Sequence, residues 1–171
     1  MCDGGVMKDG REVANYVLDY AESKGFGVTN LSLQKIVYFC HAWYLVSTGG
    51  PLVKHSFEAW EYGPVLPYLY RDFKSFGDKI ITTKAKKLDV MTGRYVKAEM
   101  KIDEDEERLL MNVVAFYSSL SPSQLVALSH HSEGPWSKVW NFRNRINPGM
   151  KISNEEIMNF YSSQKRCYTV Q

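Results

Sequence analysis

The sequence contains few cysteines, and their spacing excludes the usual cysteine chemistry. Only three occur in 171 residues, Cys2, Cys40 and Cys167, an odd number at unrelated spacings. Neither a disulfide framework nor a Cys-x-x-Cys metal site can be built from them. The pattern favours a reducing compartment.

Long apolar runs are also missing. The first ten residues lack the basic start and the apolar stretch of a secretory signal, and no run of about 18 apolar residues occurs. We therefore expect a cytoplasmic protein that has no membrane partner.

The charge is nearly balanced, with 21 basic and 19 acidic residues. Such a balance lacks the positive field of nonspecific nucleic-acid binders, so we do not expect a nucleic-acid partner. The sequence also lacks a glycine-rich phosphate loop, a G-x-S-x-G elbow and a Walker-type lysine. We predict that the protein is not an enzyme and has no cofactor.

What is present is the composition of a packed globule, 44% hydrophobic and 23% charged. Asp9 and Glu12 resemble a capping box at the start of a first helix, which Gly25 ends. A second helix, Leu31 to Ser47, is apolar nearly all round, as expected of a central, buried helix. Capping boxes predict three further helices: Asp103 to Leu120, Ser121 to His130, and one that begins at Ser153.

Strands are predicted in the middle of the chain. The aromatic stretch Phe57 to Tyr62 indicates a short strand, which Gly63-Pro64 ends before a helix over residues 65–76. Further on, Val96, Ala98, Met100 and Ile102 alternate with polar residues, which predicts a strand with one buried face. This strand would pair with Leu88 to Met91 through a turn at Thr92-Gly93.

These elements predict a mainly α fold with a small antiparallel β-sheet, of the α+β class. We expect a compact single-domain helical bundle with a β-hairpin insertion, and one domain over residues 1–171.

Two constellations could carry chemistry, and each has a simpler interpretation. Cys40 and His41 are neighbours on a helix and point about 100° apart, which favours a buried small hydrophobe beside a hydrogen-bonded histidine. His130, His131 and Glu133 come closer to a metal site, and a metal-dependent hydrolase is an alternative. We predict no metal, because no distant third ligand has a recognisable spacing.

Two charged stretches of the sequence can each be interpreted in two ways. The acidic run Asp103 to Glu107 suits either a docking patch or the first turn of a helix, and we favour the helix. Lys84, Lys86 and Lys87 could contact phosphates, although a solvated loop face is the more frequent meaning of such a cluster.

Three blocks of the sequence are similar to a known family. They are LSLQKIVYFCHAWYL at residues 31–45, FEAWEYGPVLPYLY at 57–70 and SHHSEGPW at 129–136. In this order they resemble the Panacea domain of SocA-like antitoxins, a family also described as GepA-type phage-associated proteins. The resemblance covers roughly residues 30–140, and the middle block is its most specific part.

The resemblance implies an antitoxin that neutralises a cognate toxin by direct protein contact, with delivery of the toxin to a protease in some members. The alternative is a phage or mobile-element regulator that binds a host protein or DNA. The oligomeric state is not predicted.

The same resemblance marks motif residues, to which we assign structural roles: Trp60, Tyr62, Gly63, Pro64, Pro67, Tyr70, His130, Glu133, Gly134, Pro135 and Trp136. For His130 and Glu133 we expect a structural clasp that Trp136 closes. Residues 78–101 match the family least and expose a polar strand face and a basic loop, and exposed edges and loops can vary without damage to the core. We therefore predict that partner choice depends on Lys84, Lys86, Lys87, Arg94 and Tyr95.

Overall fold

The structure is a computed structural model that describes residues 6–141, 148–166 and 168. Cys2 and Cys167 lie outside the described residues. The helices are α1 (Gly10–Lys24), α2 (Asn30–Thr48), α3 (Pro67–Asp72), α4 (Glu104–Ser118), α5 (Pro122–Ser129), α6 (Pro135–Trp140) and α7 (Asn154–Ser162). Two antiparallel hairpins, β1 (Glu58–Trp60) with β2 (Gly63–Val65) and β3 (Lys86–Asp89) with β4 (Arg94–Lys97), complete the regular structure. The predicted class, mainly helical with a small antiparallel β component, is confirmed.

Helix α2 is the central element, as its apolar circumference predicts. It packs against α1, α4, α5 and α7 and also contacts β2. On its α4 side, the rings of Phe39 and Tyr117 stack at 4.0 Å, and the indole nitrogen of Trp43 donates to the Tyr117 hydroxyl at 2.8 Å. Because this indole and this hydroxyl are buried, their hydrogen bond removes the cost of leaving them unpaired.

Local capping chemistry sets the helix starts. Asp9, Asp103 and Ser121 each form a complete capping box with the residue three positions later. At α7 only half of the predicted box forms. Ser153 accepts from the backbone nitrogen of Glu156, while the Glu156 carboxylate pairs with Lys138 at 2.7 Å.

The aromatic stretch forms a hairpin, so the prediction that Gly63-Pro64 ends the strand was wrong. The chain turns back after Trp60, and Gly63 to Val65 pair with Trp60 to Glu58 in antiparallel register. Gly63 makes the return possible because its φ is 107°, a backbone angle that glycine adopts without strain.

The helix predicted over residues 65–76 is shorter. Leu66 is the N-cap of α3, which has Pro67 at its first position. Phe73, at φ −111° and ψ 8°, leaves the helical conformation, and Lys74–Phe76 continue as a 3₁₀ turn.

The second hairpin differs from prediction in length and burial. Residues 98–102 do not continue β4, and all four residues of β4 are exposed, so the expected buried face is absent from that strand. Ala98, just beyond the strand, is fully buried. The hairpin therefore extends from the helical core and is packed only at its base.

Gly134-Pro135 begins helix α6, with Gly134 as N-cap and Pro135 in the first turn. Within the described ranges, no helix is long and apolar enough to cross a membrane.

Candidate partner-binding surface

Asn15 of α1 fastens the base of the β3–β4 hairpin. Its side-chain nitrogen donates to the carbonyls of Ala85 and Ala98 at 2.9 and 2.8 Å, and its oxygen accepts from the Ala85 nitrogen at 2.8 Å. Asn15 is buried, so these backbone groups would lack partners without it. Sequence analysis missed this residue, whose only signal is a polar side chain on the apolar face of α1.

We expect Asn15→Leu to lower the free energy of unfolding by about 3 kcal/mol, because buried donors and acceptors lose their partners. The hairpin amides should also exchange faster with solvent. Asn15→Asp retains the acceptor for Ala85 but places a carboxyl oxygen against the carbonyls of Ala85 and Ala98, so it should be destabilised as well. Asn159→Leu, at an exposed position of α7, is the control. Thermal unfolding and hydrogen exchange measure both effects, and an Asn15→Leu protein with wild-type stability would contradict the assignment.

Most of the predicted partner-binding lysines hold the hairpin against α1. Lys84 pairs with Asp19 at 3.2 Å and with Glu22 at 2.8 Å, and Lys87 pairs with Glu12 at 2.7 Å. The neighbouring carboxylates also raise the pKa of Lys84 against the opposing effect of burial. Ion pairs this exposed contribute up to about 1 kcal/mol each, so their main effect is to orient the hairpin.

The other predicted residues, Lys86, Arg94 and Tyr95, are exposed and available for contact. They stand among apolar side chains that sequence analysis did not select: Leu88 (50% exposed), Val90 (85%), Met91 (90%) and Val96 (39%). The alternating pattern included Val96 but assigned it to a buried face. A strand exposed on both faces would have marked Val96 as a surface residue. So many large apolar residues on one hairpin are typical of an interaction surface.

A groove of about 1910 Å³ lies beside this hairpin. We call it the hairpin groove. It lies between the hairpin, the chain around the start of α1, the end of α2 and the first half of α4. Its lining includes Lys86, Lys87, Leu88 and Tyr95, together with Lys54, Glu99, Lys101 and Arg166. Three of the five residues predicted for partner choice therefore line one groove, whereas Lys84 and Arg94 do not.

The acidic start of α4 borders the same groove, and much of its charge is used within the chain. Asp103 and Glu106 form the capping box of α4, and Glu106 also accepts from the Tyr44 hydroxyl at 2.6 Å. Burial, and then Glu106, raise the pKa of Tyr44. The interpretation of this run as the first turn of a helix is confirmed, because Asp103 is the N-cap of α4 and residues 104–107 form its first turn.

The motif residues Gly63 and Pro64 lie on the side chain of a fully buried lysine. Lys35 of α2 is 0% exposed, and its ammonium donates to the Pro64 carbonyl at 3.0 Å. Burial lowers the pKa of Lys35 to about 7. A Cβ atom on Gly63 would stand 2.5 Å from Ser129 Oγ and 2.6 Å from Lys35 Cε, so only glycine fits this approach.

Sequence analysis missed Lys35 and its neighbour Gln34, although two polar residues inside an apolar helix are a signal. Gln34 accepts from the Leu66 nitrogen at 3.1 Å and donates to Asn30, which in turn donates to the Tyr70 carbonyl. These bonds connect the start of α2 with α3. Polar side chains of α2 thus fix the backbone of the middle motif block on both sides of Val65.

The late motif block packs against the same hairpin. The ring of His130 stacks on Trp136 at 3.7 Å, and Trp136 Nε1 donates to the Trp60 carbonyl at 2.8 Å. Burial, and then the charge of Lys35, lower the pKa of His130. In the described residues, Glu133 makes no side-chain contact with His130. The clasp predicted between them is a stack of His130 on Trp136 instead.

The remaining motif residues differ in exposure. Tyr62, in the turn between β1 and β2, is 59% exposed, so a structural role has less support there than at Gly63. Tyr70 packs edge-on against Trp60 at 5.1 Å.

The candidate chemical groups are used for packing. Val53 donates from its backbone nitrogen to His41 Nδ1 at 3.2 Å, which leaves Nε2 to donate to Asn154 at 2.8 Å. Burial raises the pKa of the Cys40 thiol, which opposes formation of a nucleophilic thiolate. His131 packs on Phe160, away from the His130 stack. Among the residues with described positions, no cluster of three or more metal-ligating side chains occurs.

Comparison with known proteins agrees with the motif blocks. Residues 33–137 match the family model described as Antitoxin SocA-like, Panacea domain. The chain is also 39% identical over 163 residues to Antitoxin SocA of Caulobacter vibrioides (strain NA1000 / CB15N), which covers 95% of this chain and 87% of that protein. The chain belongs to the SocA-like antitoxin family. No solved structure gives a significant match.

The match to the Panacea domain spans most of α2 and continues into α6, so it includes both hairpins. Within that span, the motif residues around Lys35 are largely buried, whereas the β3–β4 hairpin is exposed. In this chain the matched region therefore combines a buried core with an exposed hairpin.

Proposed function

We propose that this chain is a cytoplasmic antitoxin that neutralises a cognate toxin by direct contact, and that all 171 residues act as one domain. The main observation that supports this proposal is the exposed apolar surface of the β3–β4 hairpin. Its base is fixed by Asn15 and by ion pairs to α1, so little conformational entropy is lost when a partner binds. Family membership supports the antitoxin role.

The proposed action requires no catalysis and no cofactor. The candidate nucleophile Cys40 and its neighbour His41 are buried, and His41 holds the backbone of Val53. His130 stacks on an indole ring. These contacts stabilise a folded core, and a binding role requires no chemical reactivity from these residues.

The test is expression with the protein encoded beside this chain. We expect that neighbour to arrest growth when it is expressed alone, and the chain to restore growth and to co-purify with it as a complex. Growth arrest that the chain does not relieve would contradict the proposal. Capture of a host protein or of DNA instead would favour a regulator of a mobile element.

A second measurement separates sequestration from delivery to a protease. The half-life of the toxin is followed with and without the chain, in cells with and without their ATP-dependent proteases. If the chain only sequesters, the toxin should persist and growth should recover in both strains. A toxin half-life that the chain shortens only in protease-competent cells would assign the adaptor role.

A further inference from the structure

Strand β3 borders the hairpin groove, and among the described residues its edge away from β4 has no strand partner. Lys86, Lys87 and Leu88 are consecutive residues of β3, and all three line the groove. Successive side chains of a strand point to opposite faces, so three in a row border one space when the edge of the strand faces it. In the described chain, no segment other than β4 is hydrogen-bonded along β3.

An open strand edge presents backbone donors and acceptors to whatever occupies the space beside it. An extended peptide can add to such an edge as a further strand, with its alternate side chains reading the neighbouring pockets. The volume of about 1910 Å³ exceeds the roughly 300–1000 Å³ of a small-molecule site. The groove therefore has the size and the backbone chemistry for a peptide segment.

Charge decides which segment fits. Within the described ranges, four exposed cations of the lining form no ion pair: Lys54, Lys86, Lys101 and Arg166. The lining cations Arg11 and Lys87 are paired with acidic residues of this chain, and Lys8 donates to the Lys101 carbonyl. Against these cations stand three carboxylates of the lining that form no ion pair in the described part: Glu99, and Asp103 and Glu106, which form the capping box of α4. The unpaired charge of the groove is thus positive.

We propose that the hairpin groove binds an extended segment of the toxin that contains both acidic and apolar residues and pairs with the edge of β3. This inference rests on the proposed function. The acidic side chains would meet Lys54, Lys86 and Lys101, and the apolar ones would pack on Leu88 and Tyr95, which lie opposite each other in the hairpin. Specificity then depends on the groove rather than on Lys84 and Arg94.

The test compares two charge reversals in the full chain, with the toxin encoded beside it as the probe. Lys86→Glu/Lys101→Glu reverses two free cations of the groove. Lys74→Glu/Lys79→Glu makes the same change of charge at exposed positions outside it. We expect the groove variant to weaken toxin binding about tenfold and the control variant to leave it nearly unchanged. The wild-type affinity should fall as salt is added.

Hydrogen exchange of the complex tests the strand pairing. Toxin should slow exchange at the amides of β3, and Arg94→Glu, on the same hairpin but outside the groove, should retain binding. Equal affinity of the groove variant and wild type, equal loss in both double variants, or protection confined to other elements would overturn the inference. So would a dimer of this chain with a protected β3 in the absence of toxin.

The outcomes separate the two proposals. A wild-type chain that fails to neutralise the toxin overturns the proposed function and this inference with it. If the wild type neutralises and the groove variant does so at equal affinity, only the inference fails.

Discussion

Gly63→Val is expected to lower the free energy of unfolding by about 4 kcal/mol. A β-branched residue at φ 107° is strained by about 1–3 kcal/mol, and its Cβ must displace Lys35 or Ser129, both of which are buried. For a chain of this size, the loss corresponds to a melting temperature lower by roughly 10 °C. Thermal and urea unfolding measure the effect.

The control is a glycine that also has a positive φ but has open space at its Cβ position. Gly93 has φ 66° and no atom within 4 Å of a Cβ position, so Gly93→Ala should lose stability only through the strain of its backbone angle. Gly63→Ala should be clearly the less stable of the two. If Gly63→Val melted with wild type and lost its toxin, the site would be functional and the structural assignment would be wrong.

The helix ends could be predicted because the interactions that set them are local. Asp9 with Glu12 and Ser121 with Gln124 satisfy the first free amides of their helices within three residues, so the sequence pattern carries the whole interaction. The central position of α2 could also be predicted from the sequence, because a helix that is apolar on all sides is stable only when it is buried.

The first hairpin was mispredicted because its closure depends on distant residues. From the local sequence, Gly63-Pro64 indicates the end of a strand. The return strand is held in place because the ammonium of Lys35, on α2, donates to the Pro64 carbonyl. The exposure of β4 was misjudged for a related reason. Alternation shows that a strand has an apolar face, but only the tertiary fold decides whether anything packs on that face.

The candidate surface was only partly predictable. Segment 78–101 was selected, but its lysines were chosen by charge, and Lys84 and Lys87 are used to orient the hairpin. Their partners, Glu22 and Glu12, lie on α1, more than 60 residues away in sequence. Which cations remain free for a partner can be read only from the fold.

The stability of the protein is expected to rise between pH 7 and about pH 8.5, because Lys35 is buried. Its pKa is about 7 in the folded chain against 10.5 for an unperturbed lysine. In this window the unfolded chain holds a proton that the folded chain has released, so unfolding becomes less favourable as pH increases. The slope approaches about 1.4 kcal/mol per pH unit.

Other groups limit the window in which this slope can be measured. Burial lowers the pKa of His41 and of His130, so both reduce stability as the pH falls through their range below 6.5. Burial raises the pKa of Tyr16 to about 12 and also raises that of Tyr38, so stability falls again above pH 10. Burial also raises the pKa of the Cys40 thiol, whose ordinary value is 9.0, so Cys40 opposes the slope from about pH 8.5 upward. Unfolding free energies between pH 7.5 and about 8.5 therefore report mainly on Lys35.

Lys35→Met should flatten this dependence, because it keeps the apolar stem and removes the ammonium. Near pH 7 the variant should be more stable than wild type, since no charge is buried. Near pH 10 it should be less stable by about 1–2 kcal/mol, because the neutral amine of wild type still donates to the Pro64 carbonyl. The two stability curves should cross, whereas Lys79→Met, at an exposed position, should run parallel to wild type. Parallel curves for Lys35→Met would show that Lys35 keeps an ordinary pKa in the fold, and would contradict this prediction.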